Sequence, residues 1–137
     1  MSETIVCASG YFNPIHYGHI EYLEKSKQLG DKLIVIVNSD KQSYLKKGTS
    51  FMPENQRLKI VRSLRCVDMA VLSVDEDRTV CKTLSRLHPD IFTNGGDQNN
   101  DTIPEKDICN QMGTKLVDNL GDKIQSSSWL LSKANKN

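Results

Sequence analysis

The chain predicts an α/β fold built on a doubly wound parallel sheet with helices on both faces. Three observations carry the prediction. Apolar, β-branched runs alternate with segments of helical periodicity. The connections between them are short. The run Lys32-Leu33-Ile34-Val35-Ile36-Val37 is apolar at almost every position, as a parallel strand covered on both faces must be. Crossovers between such strands are right-handed.

Thr4 to Ala8 is a short apolar run closed by Ser9-Gly10, and it reads as the first strand. Tyr17 to Leu29 reads as a helix. Ile20, Leu23 and Leu29 mark its apolar side, Glu21, Glu24, Lys25 and Lys27 face out, and Gly30 stops it. Lys32 to Val37 is the second strand. Residues 40–53 hold Lys, Gly, Ser and Thr with little periodicity and read as a loop. Pro53-Glu54 opens the next helix, and Leu58, Ile60, Val61 and Leu64 supply its apolar residues up to Arg65. A third strand lies in Val67 to Val74, around Met69-Ala70-Val71-Leu72. Asp77 to Leu87 is a helix with Val80, Leu84 and Leu87 at suitable spacing, ended before His88-Pro89. Asp90 to Thr93 is the fourth strand, followed by Asn94-Gly95-Gly96-Asp97. A helix near Pro104 to Met112, a strand at Lys115 to Val117 and a last helix from Ser127 to Lys133 follow, and 134–137 form a polar tail. The whole is a Rossmann-like single domain over 1–137, without internal repeats.

Composition excludes several classes of function. Lys and Arg number 18 against 17 Asp and Glu, a net charge of +1, so the basic excess of a sequence-independent nucleic-acid binder is missing. No apolar run approaches the roughly 18 residues of a membrane span. Met1-Ser2-Glu3-Thr4 shows no basic segment followed by a long apolar stretch, so the expected compartment is the cytoplasm. Cys7, Cys66, Cys81 and Cys109 form no C-x-x-C pair and stand near no histidine at zinc-ligand spacing. They read as reduced, structural residues, and no metal-ligating set is expected.

In doubly wound sheets ligands bind beyond the carboxyl ends of the strands. After the first strand comes Gly10-Tyr11-Phe12-Asn13-Pro14-Ile15-His16-Tyr17-Gly18-His19. His19 falls at the start of a helix, where free N–H groups and the positive dipole end favour phosphate. Gly18 lets a ligand approach the backbone. Imidazoles placed there can donate hydrogen bonds to a phosphoryl group whose charge grows in a transition state. The structural alternative makes His16 a loop hydrogen-bonder and His19 a helix cap.

His16-x-Gly18-His19, in this context, resembles the signature of the nucleotidyltransferase superfamily related to class I aminoacyl-tRNA synthetase catalytic domains. The stretches Gly10-x-Phe12-Asn13, Tyr22-Leu23, Leu29-Gly30-Asp31-Lys32 and Val37-Asn38-Ser39-Asp40 sharpen it toward small cytidylyltransferases and their adenylyltransferase relatives. Lys47-Gly48, Asn55-Gln56-Arg57, Val67-Asp68, Pro89-Asp90-Ile91, Gly95-Gly96-Asp97 and Ser126-Ser127-Ser128 continue the match over residues 5–131.

The resemblance implies an enzyme that brings a nucleoside triphosphate and a phosphorylated alcohol or sugar together. The acceptor phosphate attacks the α-phosphate and pyrophosphate leaves, without a covalent enzyme intermediate. By resemblance, His16 and His19 hold the triphosphate and stabilise the reacting phosphorus, while Phe12 and the backbone at Gly10 and Tyr11 line the nucleotide pocket. Lys47 matches a lysine that contacts the reacting phosphates, with Lys46 beside it, and the 40–53 segment would act as a lid. Arg57 matches an arginine that contacts phosphate or substrate; a surface ion pair is its structural alternative. Asp97, after Gly95 and Gly96, matches a position near base and ribose. Ser126, Ser127 and Ser128 match a phosphate-binding turn, or else a plain helix cap. Mg²⁺ is expected with the triphosphate.

Overall similarity to the short cytidylyltransferases favours CTP. The alternative is ATP, as in heptose-phosphate, nicotinamide mononucleotide and FAD-forming adenylyltransferases. A third reading is a nucleotide-binding protein without catalysis. Phe12-Asn13-Pro14 is more like nicotinamide mononucleotide adenylyltransferases than the usual Asp pattern. Gly121-Asp122-Lys123-Ile124-Gln125 carries no arginine before Ser126, which argues against glycerol phosphate as acceptor. The relatives imply a homodimer.

Overall fold

A computed structural model describes residues 3–95 and 103–120. Five strands, β1 (Ile5–Gly10), β2 (Lys32–Val37), β3 (Met69–Leu72), β4 (Ile91–Gly95) and β5 (Lys115–Leu120), form one parallel sheet in the order β3-β2-β1-β4-β5. The helices are α1 (Tyr17–Lys27), α2 (Asp40–Lys47), α3 (Glu54–Arg62), α4 (Cys81–Leu87) and α5 (Lys106–Met112). This is the doubly wound parallel arrangement that the alternation predicts.

The period of two in the strands sorts side chains to two cores. Val6 and Ala8 of β1, with Leu33, Val35 and Val37 of β2, pack with Tyr22 and Leu23 of α1 and Val61 of α3. Cys7 and Ile36 point the other way, to Leu84 of α4 and Cys109 of α5. Both faces of β1 and β2 are therefore covered, which is why β2 reads as a continuous apolar run. Among the described residues no helix is long and apolar enough to cross a membrane.

The connection after β1 runs to α1 on the first face, and that after β4 runs to α5 on the second. β1 and β4 pair only at Val6–Ile91 and Cys7–Phe92. Beyond that point the Tyr22 hydroxyl stands between them. It accepts from the Ser9 N–H at 3.3 Å and donates to the Thr93 carbonyl at 2.7 Å. The backbone groups that a longer ladder would have paired are thus satisfied by a side chain, and a crevice opens above them.

Two elements differ from the sequence expectation. Residues 40–47 are not a loop but α2. Ser39 Oγ accepts from the Gln42 N–H at 3.2 Å, and Gln42 Oε1 accepts from the Ser39 N–H at 3.0 Å, a reciprocal cap. Gly48, at φ 75°, closes the helix in the left-handed conformation. α4 begins at Cys81, not Asp77, because the Asp77 and Thr79 carbonyls accept from Gln42 Nε2 at 2.7 and 2.8 Å. Asp75 caps the shortened helix, accepting from the Lys82 N–H at 2.7 Å and the Thr83 N–H at 2.9 Å. The expected helix at Ser127–Lys133 lies outside the described residues.

Candidate active site

A cleft of about 480 Å³ lies over the carboxyl ends of the strands, within the size range of small-molecule sites. Gly10, Tyr11, Phe12, Gly18 and both motif histidines line it, as do Lys46 and Lys47. The sequence motif and the loop lysine are therefore brought together, although they stand thirty residues apart in the chain.

His16 is the N-cap of α1. Its Nδ1 accepts from the Gly18 N–H at 3.1 Å, and His19 Nδ1 accepts from the His16 N–H at 3.1 Å. A backbone N–H can only donate, so each Nδ1 is unprotonated. In the neutral ring the proton then sits on Nε2, and both imidazoles offer an Nε2–H donor. The rings stack with centroids 3.9 Å apart, and the Phe12 ring meets His19 edge-on at 5.0 Å. Burial, then the neighbouring His16, lowers the His19 pKa to about 4. The capping alternative is what the structure shows, with His16 rather than His19 at the N-cap; both caps use Nδ1 and neither uses Nε2.

Phe12 adopts φ 52°, an uncommon conformation for a bulky residue. It buries its ring under Gly10, where an added Cβ would meet Phe12 Cζ at 2.8 Å. Asn13, joined to Pro14 by a cis peptide bond, accepts from the Met52 N–H at 2.7 Å and donates to Ser50 Oγ at 3.1 Å. An aspartate carboxylate cannot donate the second bond as the Asn13 amide does, and through both bonds Asn13 ties the 50–52 loop to the motif.

Arg57 is neither a surface ion pair nor part of the cleft lining. It is buried, with 1% of its surface exposed. Its guanidinium donates to the carbonyls of Met52 at 2.9 Å, Tyr11 at 2.7 Å and Asn38 at 2.6 Å, and to Asp40 Oδ1 at 2.8 Å. One side chain therefore fastens the ends of β1 and β2 to α2 and α3. The contact with Arg57 helps hold the Asp40 carboxyl below its usual range, against the opposing effect of burial.

Lys46 Nζ lies over the Tyr11 ring, 4.5 Å from its centroid. Burial and the cations Lys47 and Arg78 lower the Lys46 pKa. Arg78 and Glu105 also line the cleft, and no sequence motif marked them. The Glu105 carboxylate accepts from the Val80 N–H at 2.9 Å, and burial raises its pKa. Gly95 ends β4. Asp97, Ser126, Ser127 and Ser128 lie outside the described residues.

All four cysteines are free, and burial pushes up the thiols of Cys7 and Cys109, the latter to about 11. Among the described residues no group of three or more His, Cys, Asp or Glu is placed to hold a metal ion.

Comparison with known proteins places these features in context. The family model described as cytidylyltransferase-like matches residues 7–133. The chain is 42% identical to an FAD synthase of Thermoplasma acidophilum over 132 residues, covering 93% of this chain and 92% of the relative. It is 38% identical to a D-beta-D-heptose 1-phosphate adenylyltransferase of Bordetella bronchiseptica over 137 residues, covering 97% and 83% respectively. Among solved structures, a lipopolysaccharide core biosynthesis protein of Thermoplasma volcanium superposes with a TM-score of 0.75 at 33% identity, over 88% of this chain and 98% of that one.

Two outcomes test this geometry. Arg57→Met strands three carbonyls and a carboxylate, so chemical denaturation is expected to show a loss of about 3–5 kcal/mol; a loss under about 1 kcal/mol contradicts the clamp. The lowered His19 pKa means that the unfolded chain binds more protons between its ordinary 6.5 and about 4. Stability is therefore expected to fall as pH drops through that window, with the His19 ring titrating near 4 by NMR. Titration near 6.5 contradicts it.

Proposed function

This chain belongs to the cytidylyltransferase-like family of nucleotidyltransferases, and we propose that its reaction is adenylyl transfer from ATP to a small phosphorylated acceptor. An oxygen of the acceptor phosphate forms a bond to the α-phosphorus. The bond from that phosphorus to the bridging oxygen breaks, and pyrophosphate leaves with the electron pair. The acceptor phosphate is already ionised, so no general base is required. Positioning and charge stabilisation carry the catalysis.

The observation that supports this chemistry most is the pair of Nε2–H donors at the head of α1. They sit at the positive dipole end of the helix, where a triphosphate is favoured. As neutral rings they donate without first gaining a proton. Lys46 and Lys47 add positive charge. Mg²⁺ belongs to the same proposal. With no carboxylate cluster among the described residues, the triphosphate oxygens would be its main ligands, and its contribution is to neutralise their charge. A homodimer is likewise proposed on the family resemblance alone.

The sequence reading favoured CTP over ATP, and the relatives support the reverse order. FAD is flavin mononucleotide joined to an adenylate, and the Bordetella relative is an adenylyltransferase by name. Flavin mononucleotide is therefore the first acceptor we propose. A sugar 1-phosphate is the second reading, on the strength of the heptose 1-phosphate relative.

With Mg²⁺ and flavin mononucleotide or heptose 1-phosphate, pyrophosphate release is expected to be at least about tenfold faster with ATP than with CTP. The reverse preference contradicts adenylyl transfer. His16→Ala and His19→Ala are each expected to lower kcat by about 10²–10³, the usual cost of one transition-state donor. Unchanged rates would remove both histidines from the chemistry.

A further inference from the structure

Among the described residues three cationic side chains line the cleft, and they arrive by different routes. Lys46 and Lys47 end α2. Arg78 belongs to residues 73–80, which leave β3 at the sheet edge and lead to α4 on the face opposite α1. This segment is braced on both sides. Gln42, fully buried, donates from Nε2 to the carbonyls of Asp77 and Thr79, the residues flanking Arg78. The Glu105 carboxylate takes the Val80 N–H. The backbone around Arg78 is thus fixed by two side chains that are themselves buried.

The Arg78 side chain, by contrast, lines the cleft, where it is hydrogen-bonded to the Tyr11 hydroxyl. It is exposed, and among the described residues it forms no salt bridge. It lies against the Tyr11 hydroxyl, while Lys46 occupies the face of the same ring.

We infer that Arg78 binds the phosphate of the acceptor, with the Tyr11 hydroxyl as a companion donor. The inference rests on the proposed nucleotidyl transfer. In that reaction the attacking and leaving oxygens lie on opposite sides of the α-phosphorus. The histidine pair and the α1 N-terminus approach the cleft from one face of the sheet, and Arg78 approaches from the other. A phosphomonoester carries about −1.5 to −2 at pH 7, and it must come close to a triphosphate. Neutral histidines do not offset that repulsion. A guanidinium does, and its planar fork can hold two phosphate oxygens at once.

The test measures binding in the wild type, Arg78→Ala and Arg78→Lys by calorimetry. The first probe is an ATP analogue with a methylene between its α- and β-phosphates, given with Mg²⁺. Flavin mononucleotide and heptose 1-phosphate are then titrated in turn into the analogue-saturated protein. The analogue's Kd is expected to stay within about twofold in both variants, while the acceptor's Kd rises about tenfold or more in Arg78→Ala and less in Arg78→Lys. Equal acceptor affinity in wild type and Arg78→Ala overturns the inference. So does a larger loss for the analogue than for the acceptor, or a wild type that binds neither phosphomonoester. Product formation by the wild type, followed in parallel, judges the transfer reaction separately. A binding contrast without product sinks the reaction and keeps the site; product without a contrast sinks the site alone.

Discussion

Two backbone N–H groups at the start of α1 set the chemistry of the cleft. The amides of His16 and Gly18 have no partner within the helix, and each is satisfied by an imidazole Nδ1. Capping and catalysis are usually treated as separate duties of a residue. In the proposed reaction the first prepares the second, because a neutral ring that accepts at Nδ1 carries its proton at Nε2. Stacking at 3.9 Å then makes charging both rings unfavourable, and burial keeps the His19 ring neutral.

The rest of the molecule holds that pair over an opening in the sheet. β1 and β4 separate after Phe92, and the Tyr22 hydroxyl takes the place of the missing ladder bonds. Phe12 turns back under Gly10 and meets His19 edge-on. Arg57 and Asn13 fasten the loop after β1 to the region around Met52. These contacts use most of the polar groups near the cleft floor. Among the described residues Lys46, Lys47 and Arg78 are exposed on the lining and are cations, which suits a site for two anionic reactants.

Much of this was readable in the amino-acid sequence. β2 was found to the residue because a strand covered on both faces is apolar throughout. The histidine pair was found because it follows a strand and opens a helix. α2 was missed because its surface is polar and lysine-rich, so periodicity is silent there. Its signal lay instead in Ser39-x-x-Gln42 and Gly48, a cap at each end. Arg57 reads, by resemblance, as a contact to phosphate or substrate, and burial of an arginine leaves no trace in the chain itself. Its four acceptors, three of them backbone carbonyls, come together only on folding. Arg78 and Glu105 were invisible for a related reason, since the loop bearing Arg78 reaches the cleft only through the crossover from β3 to α4. The choice between CTP and ATP turned on relatives rather than on residues of the chain.

The central claim is the tautomer of the two cleft histidines. Long-range ¹H–¹⁵N correlation spectra of histidine-labelled protein at neutral pH report the protonation of each ring nitrogen. His88 is the third histidine, so its replacement by Gln removes one signal set and leaves the pair. The geometry requires an unprotonated Nδ1 and a protonated Nε2 in both His16 and His19. A proton on Nδ1 of either ring would contradict the reciprocal cap, and with it the two donors that the proposed reaction depends on.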